Sequence, residues 1–319
     1  MPSRRALLAS AVLPFATPAF AQSWPARPFR FVVPFGAGAS LDVLARLIAA
    51  RFPEVTGQNA VTENRVGGGT IIGTDSVAKL PGDGYTVLFV ANSFTINATL
   101  IPNPPFDARR DFRGIDSLIV SPHVLIASPA LNASTIPELI AAARARNGLT
   151  YASTGVGTSL HLGGESLKKA TGMDMTHVVY RGTSQAIIDL YSGRVDVMLT
   201  NVADAAPSIR DGRVKAIAVA NSARHALLPD VPTFEELGVR GVVSNSWYGV
   251  VARSDVPTPI ADRLHDAIAR IMAEPDTLAR LNEMGLSPMR MARPEFDAFL
   301  AEEFQRNGRM IRENGITID

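Results

Sequence analysis

The chain has 319 residues, 46% of them hydrophobic and 19% charged, with 31 basic residues against 30 acidic ones. That length allows two domains, and that mixture belongs to globular chains rather than to disordered or coiled-coil ones. The near-neutral balance excludes the basic field that draws nucleic acid or anionic lipid, and the absence of Cys excludes disulfides, thiolate catalysis, Cys-ligated metals and a lipidated anchor.

The first segment reads as an address. Arg4 and Arg5 make a basic start, Ala6 to Phe20 is apolar and small, and Ala19-Phe20-Ala21 has the A-x-A form of a cleavage site. Residues 1–21 are therefore expected to be removed, leaving a chain that begins at Gln22. Ser3-Arg4-Arg5-Ala6-Leu7-Leu8 suits twin-arginine export as well as an ordinary Sec signal. Losing two arginines leaves 29 basic residues against 30 acidic. No later stretch reaches 18 uninterrupted apolar residues, so a soluble periplasmic protein without membrane insertion is expected.

Beyond the leader, extended and helical segments alternate in the manner of an α/β protein with largely parallel sheets. Phe29–Phe35 is β-rich, and Leu41, Leu44, Ala45, Leu47, Ile48 and Phe52 follow at helical spacing. Asn59–Glu63 is extended, Thr74–Leu80 is a short helix, and Tyr85–Ala91 is a strand whose C-terminal end presents Asn92-Ser93-Phe94-Thr95. Val124–Ser128 is extended; Thr135 and Glu138 then have capping-box spacing, with Pro137 near the helix start. Further strands are read at Thr150–Ser153, His177–Tyr180, Val195–Leu199, Ala216–Ala220 and Trp247–Ala252, and helices at Pro259–Ala273, Asp276–Met284 and Glu295–Asn314. Crossings near Ser121–Ser128 and Val243–Trp247 would make the second lobe an insertion in the first.

Two turns stand out. Gly36-Ala-Gly-Ala-Ser40-Leu-Asp42 and Gly155-Val-Gly-Thr-Ser159-Leu-His161 share Gly, Gly, Ser and Leu at matching places, each after a strand and before a helix. Glycines let backbone approach a ligand closely, and the free N–H groups of a helix start favour an anion. Two such turns could grip one small anion from opposite sides. Gly67-Gly68-Gly69-Thr70 is a weaker third cradle.

Other chemistries fit less well. Gly36-x-Gly38 begins a dinucleotide fingerprint, but Leu41 replaces its third Gly. No G-x-S-x-G elbow exists for a serine hydrolase; Ser184 reads instead as the cap of a helix from about Gln185. His123, His161, His177, His225 and His265 are scattered, without metal-ligand spacing. Asp42 and His161 each fall just inside a helix, where they either cap backbone or touch ligand. Trp247 and Tyr248 are read as core or cleft wall, with their place near a hinge favouring wall, and Pro102–Phe106 as a surface loop without chemistry.

Taken together, these residues resemble the tripartite tricarboxylate transporter receptor family, also called Bug. The landmarks are Val33-Pro-Phe-Gly-Ala-Gly-Ala-Ser-Leu-Asp42, Glu63-Asn64-Arg65 with the glycine run, Asp83-Gly84-Tyr85-Thr86, Tyr151 to His161, Tyr180-Arg181-Gly182, Leu228 to Thr233 and Trp247-Tyr-Gly249. The resemblance implies a type II-like periplasmic binding protein. Its two α/β lobes each carry a mixed, mostly parallel sheet flanked by helices, and two crossovers join them. Residues 22–125 and 246–319 would form lobe 1 and residues 126–245 lobe 2. It further implies a monomeric receptor, not an enzyme, without cofactor, metal or nucleic acid. Such a receptor holds a di- or tricarboxylate, or an acidic or aromatic acid, for a membrane permease. A sensor that presents the same carboxylate to a histidine kinase, and an exported hydrolase, are the alternatives. Residues matching the family's ligand contacts are Phe35, Gly36, Ala39, Ser40 and Asp42 on one lobe and Ser153, Thr154, Gly157, Thr158 and His161 on the other. Thr70, Asn92, Arg181, Asn201 and Trp247 would select the distal group. Ala39, Leu41, Val66, Thr70 and Val179 depart from the usual family residues, which bears on those distal contacts.

Overall fold

Phe29, Phe31 and Val33 project to one face of the first strand and Val32 to the other, and both faces are buried. Period-two apolar residues on two covered faces require helices on each side of the sheet, and the computed structural model has that layering. It describes residues 24–180, 182–242 and 244–317; the leader read at 1–21, and Arg181, lie outside the described residues.

The elements in chain order are β1 (Phe29–Val33), α1 (Ser40–Thr56), β2 (Ala60–Asn64), α2 (Ile71–Ala78), β3 (Thr86–Ala91), α3 (Asn92–Leu100), β4 (Phe112–Ala127), α4 (Ile136–Ala145) and β5 (Leu149–Ser153). They continue with α5 (Ser159–Thr171), β6 (Met175–Val179), α6 (Thr183–Tyr191), β7 (Val197–Asn201), α7 (Val202–Arg210), β8 (Lys215–Val219) and β9 (Asn245–Arg253). The chain ends in α8 (Thr258–Met272), α9 (Pro275–Glu283), β10 (Ser287–Pro288) and α10 (Arg293–Glu313).

Strands run in the order β2-β1-β3-β9-β4-β7-β5-β6, with β8 and β10 also on β4. The outer ladders are parallel, and the ladders made by β4 and β9 in the middle are antiparallel. β4 is the element that joins the halves. Residues Phe112–Pro122 pair with β9, and His123–Ala127 pair with β7. Its Val124–Ser128 stretch reads in sequence as a separate short strand because Pro122 interrupts the apolar run.

In the first half, Phe31, Leu44, Ile48, Phe52, Phe89 and Ile268 fill the space between one sheet face and α1 and α8. Val32, Leu88, Phe94, Trp247, Phe296 and Phe304 fill the other face beneath α3 and α10. The second half repeats the plan, with α4 and α5 on one side and α6 and α7 on the other. Ile96, Leu100, Leu162 and Ile311 then bring α3, α5 and α10 together between the halves.

Asn92–Thr95, read at the C-terminal end of the strand, lies there and forms the first turn of α3. Helix α6 begins at Thr183 with Gly182 at its N-cap and no side-chain cap, so Ser184 lies within the first turn and caps nothing. The capping box at Thr135 and Glu138 forms as read.

Candidate functional site

The two glycine turns close by the same bond. In the first, Gly38 has φ +83° and donates its N–H to Asp42 Oδ2 at 2.8 Å. In the second, Gly157 has φ +74° and donates its N–H to His161 Nδ1 at 3.2 Å. Each glycine takes a left-handed conformation that a side chain disfavours, and each acceptor sits four residues on, in the first helical turn. Matching sequence positions thus perform matching work.

Asp42 is 1% exposed. Besides Gly38 it accepts from Arg46 Nε at 3.0 and 3.1 Å and from Asn64 Nδ2 at 2.8 Å. Asn64 Nδ2 also reaches the Phe35 carbonyl at 3.0 Å, so the strand end, the turn and α1 are tied through one carboxylate. Burial pushes the Asp42 pKa up, but the hydrogen bonds from Arg46, Gly38 and Asn64 and the Arg46 charge outweigh it and lower the pKa. Both oxygens are taken, so Asp42 shapes the turn and does not face an anion. What the turn leaves open are Gly36, Gly38 and Ser40, all exposed. Ala39 is the N-cap of α1 and has no hydroxyl to offer, so the first N–H groups of that helix keep no side-chain cap.

The second turn is more self-satisfied. Thr158 is the N-cap of α5; its Oγ1 accepts from His161 N at 3.3 Å and donates to the Gly155 carbonyl at 2.8 Å. Ser153 is fully buried, with its Oγ 3.2 Å from Gly155 N, 3.1 Å from Gly155 O and 2.6 Å from His177 Nε2. That hydroxyl braces the turn from behind. Thr154, Gly155, Thr158 and Ser159 are partly open here, Val156 is exposed and Gly157 is buried.

His161 is 6% exposed and stacks on His177 with ring centroids 4.1 Å apart; Tyr151 stacks on His177 at 4.9 Å and donates its hydroxyl to Glu165 at 2.6 Å. A backbone N–H can only donate, so His161 Nδ1 is an acceptor and its ring proton sits on Nε2. Burial, with the neighbouring His177, lowers its pKa to about 4, so the ring is neutral near pH 7.

The remaining sequence-read residues disperse. Trp247 is 0% exposed; its ring packs edge-on against Phe296 and Phe299, and Nε1 donates to Glu303 at 3.0 Å. It is core, not cleft wall, because successive residues of β9 face opposite sides. Tyr248 faces the α1 side instead, beside Ser40. Asn92 donates to the Asn245 carbonyl at 3.0 Å and accepts from Trp247 N at 3.0 Å, so its amide ties α3 to β9. Thr70 holds φ +86°, rare for a β-branched residue, and lines a cavity of about 410 Å³ with Ser93, Asn97 and Pro104–Phe106. None of the two turns' residues borders that cavity, and the proline loop read as featureless forms one of its walls. Asn201 stays at the C-terminal end of β7, partly open, with Nδ2 3.2 Å from Asp204.

A hinge cluster escaped the sequence reading. His123 is fully buried where β4 changes partners, with Nδ1 2.7 Å from Ser244 Oγ and Nε2 3.0 Å from Ser246 Oγ. Ser244 Oγ in turn lies 3.2 Å from the Ser159 carbonyl at the start of α5. If Ser244 donates there, His123 donates from Nδ1 and accepts from Ser246, which is the neutral ring that burial enforces by lowering its pKa to about 3. Gly163 makes the approach possible, since a Cβ there would sit 2.2 Å from Ser244 Oγ. The second crossing is thereby fastened to the second turn. Nothing in the spacing of a lone His announces this, because its partners lie about 120 residues away.

Two α/β halves linked through β4 and β9, with paired glycine turns at strand ends, have the architecture of a solute-binding receptor. The family model for the tripartite tricarboxylate transporter family receptor matches residues 44–316, and the chain belongs to that family of receptors, which are not enzymes. A Pseudomonas protein encoded in the tcbD-tcbE intergenic region is 37% identical over 266 residues, 83% of this chain and 79% of its own. A Rhodopseudomonas palustris protein solved with adipate is 31% identical, with a TM-score of 0.79 over 92% of this chain and 99% of that one. MatC from the same species, solved with bound malate, is 29% identical, with a TM-score of 0.76 over 90% of this chain and 100% of that one.

Proposed function

We propose that this chain is a periplasmic receptor that holds a small carboxylate between the Gly36–Asp42 and Gly155–His161 turns and passes it to the permease subunits of a tripartite transporter. The observation that carries the reading is the shared closure of the two turns. Each sets a glycine-rich backbone at a helix start, with the Ser40 hydroxyl exposed in the first turn and those of Thr154 and Ser159 partly open in the second.

Charge-assisted bonds from neutral donors hold a carboxylate well, and they avoid the penalty of an unpaired buried Arg or Lys in the empty cleft. Adipate and malate in the related structures are of this chemical class. With Trp247 in the core, the support for an aromatic acid falls away. Residues 22–125 with 246–319, and 126–245, serve as the two lobes, and a ligand that touches both biases the hinge towards closure. Export rests on the cleaved leader at residues 1–21.

A melting assay with adipate, malate, citrate and shorter dicarboxylates tests the reading. A ligand at about 100-fold over its Kd adds roughly 2.7 kcal/mol of stability. If no carboxylate moves the transition, the receptor reading is wrong for this class. Loss of uptake of the stabilising compound on deleting the gene tests delivery to the permease.

A further inference from the structure

The cavity of about 410 Å³ beside α3 has the size of a small-molecule site, and residues of neither glycine turn border it. Its walls are the starts of α2 and α3 and the loop that leads into β4. Two of its side chains are nine-tenths buried and still carry an open polar atom.

Thr70, 9% exposed, is the N-cap of α2, yet its side chain takes no cap bond and its hydroxyl meets no other partner among the described residues. Its φ of +86° is a conformation that a β-branched residue keeps only where its surroundings impose it. Asn97 is 8% exposed, and its Nδ2 donates to the Gly69 carbonyl. A carbonyl can only accept, so the amide is fixed in that sense and its Oδ1 is left without a donor. Neither oxygen is sealed from solvent in the way that Ser93 Oγ or Asn201 Oδ1 is.

The rest of the lining is electrically balanced. Arg110 Nε lies 2.9 Å from Asp111 Oδ1, and Asp107 Oδ1 accepts from Arg109 N at 2.9 Å. Two guanidinium groups and two carboxylates leave no net charge to select an anion or a cation. Phe94, Ala98 and Phe106 supply apolar wall.

From this lining we infer that the cavity is a second ligand site, separate from the carboxylate cleft, for a small neutral polyhydroxy compound of monosaccharide size. A hydroxyl both donates and accepts, so one kind of ligand group serves Thr70 Oγ1 and Asn97 Oδ1 together. A sugar ring adds C–H faces for the apolar wall and further hydroxyls for the charged pairs. A carboxylate has no donor for Asn97 Oδ1, and it would meet Asp107 and Asp111 as like charges. The inference goes beyond the carboxylate-receptor reading and does not depend on it.

The test is calorimetric titration of ribose, xylose, glucose, galactose and xylitol into wild type, Thr70→Val and Ala98→Phe, with thermal melts to establish that both variants fold. At least one of these compounds is expected to bind the wild type at a single site. Thr70→Val keeps the branched shape and removes the hydroxyl, so affinity should fall at least about tenfold. Ala98→Phe fills the cavity from α3 and should abolish binding. Saturating adipate should leave the polyol bound to the wild type. The inference is overturned if none of these compounds binds, if both variants bind as the wild type does, or if adipate displaces the polyol and so puts it in the cleft. Failure of the carboxylate reading shows separately, as a melting transition that no carboxylate moves.

Discussion

Replacing His161 by Asn separates the acceptor that closes the second turn from the titration of the ring. Asn Oδ1 occupies nearly the place of His Nδ1, so the Gly157 N–H keeps a partner, but the side chain no longer ionises. His161 has a folded pKa of about 4 against 6.5 for the free side chain. A depressed base favours the neutral form in the fold. Its contribution is therefore full above pH 6.5 and is lost as the pH falls from there to about 4. Two-state linkage with those values gives a loss of about 2 kcal/mol between pH 7 and pH 5, or roughly 4–8 °C of melting temperature for a domain of this size. The measurement is a series of thermal melts from pH 7.5 to pH 4.5 on wild type and variant. The variant is expected to be somewhat less stable at neutral pH, through the lost stack on His177, but flatter in its pH dependence by about that amount. Parallel pH curves for the two proteins would refute the assignment of a buried neutral ring accepting from Gly157.

Asp42→Asn places an amide N–H₂ against Gly38 N, Arg46 and Asn64, all donors, and is expected to destabilise the fold by about 2–4 kcal/mol, read by denaturant titration. Trp247→Phe removes the Glu303 bond and part of a buried ring; it should lower stability by about 1–3 kcal/mol and leave carboxylate affinity within about twofold, whereas a large loss of affinity would return Trp247 to the cleft.

Much of the lobe architecture was legible because apolar periodicity and strand-end glycines are local signals. The two turns were found by their spelling, and their pairing held down to the position of the closing acceptor. What sequence could not separate was which side of an element a polar residue faces. Trp247 and Tyr248 are neighbours, and only the register of β9 between β3 and β4 decides that the indole goes under α10 and the phenol to Ser40. Asn92 looked like a ligand group because it ends β3, yet the nearest unsatisfied backbone groups belong to Asn245 and Trp247, far along the chain. His123 gave no local signal, since it acquires its setting from serines on the far side of the chain.

The contrast between Asp42 and His161 follows from the charge each half can accommodate. Both turns need an acceptor four residues beyond the glycine, and a carboxylate is the stronger acceptor. In the first half Arg46 and Asn64 stand beside it, so the carboxylate closes the turn with its charge compensated. In the second half the ring lies against Tyr151 and His177 with Glu165 close by, and a further carboxylate there would meet the like charge of Glu165. A neutral imidazole supplies the acceptor without the charge. Either way the turn carries no uncompensated charge. Exchanging the two residues should therefore harm the second turn more than the first. An Asp at 161 adds an uncompensated charge, whereas a His at 42 loses the Arg46 pair but keeps an acceptor for Gly38. Binding of adipate or malate, followed alongside thermal stability in the two single exchanges, would show that order, and equal losses would mean the acceptors are interchangeable.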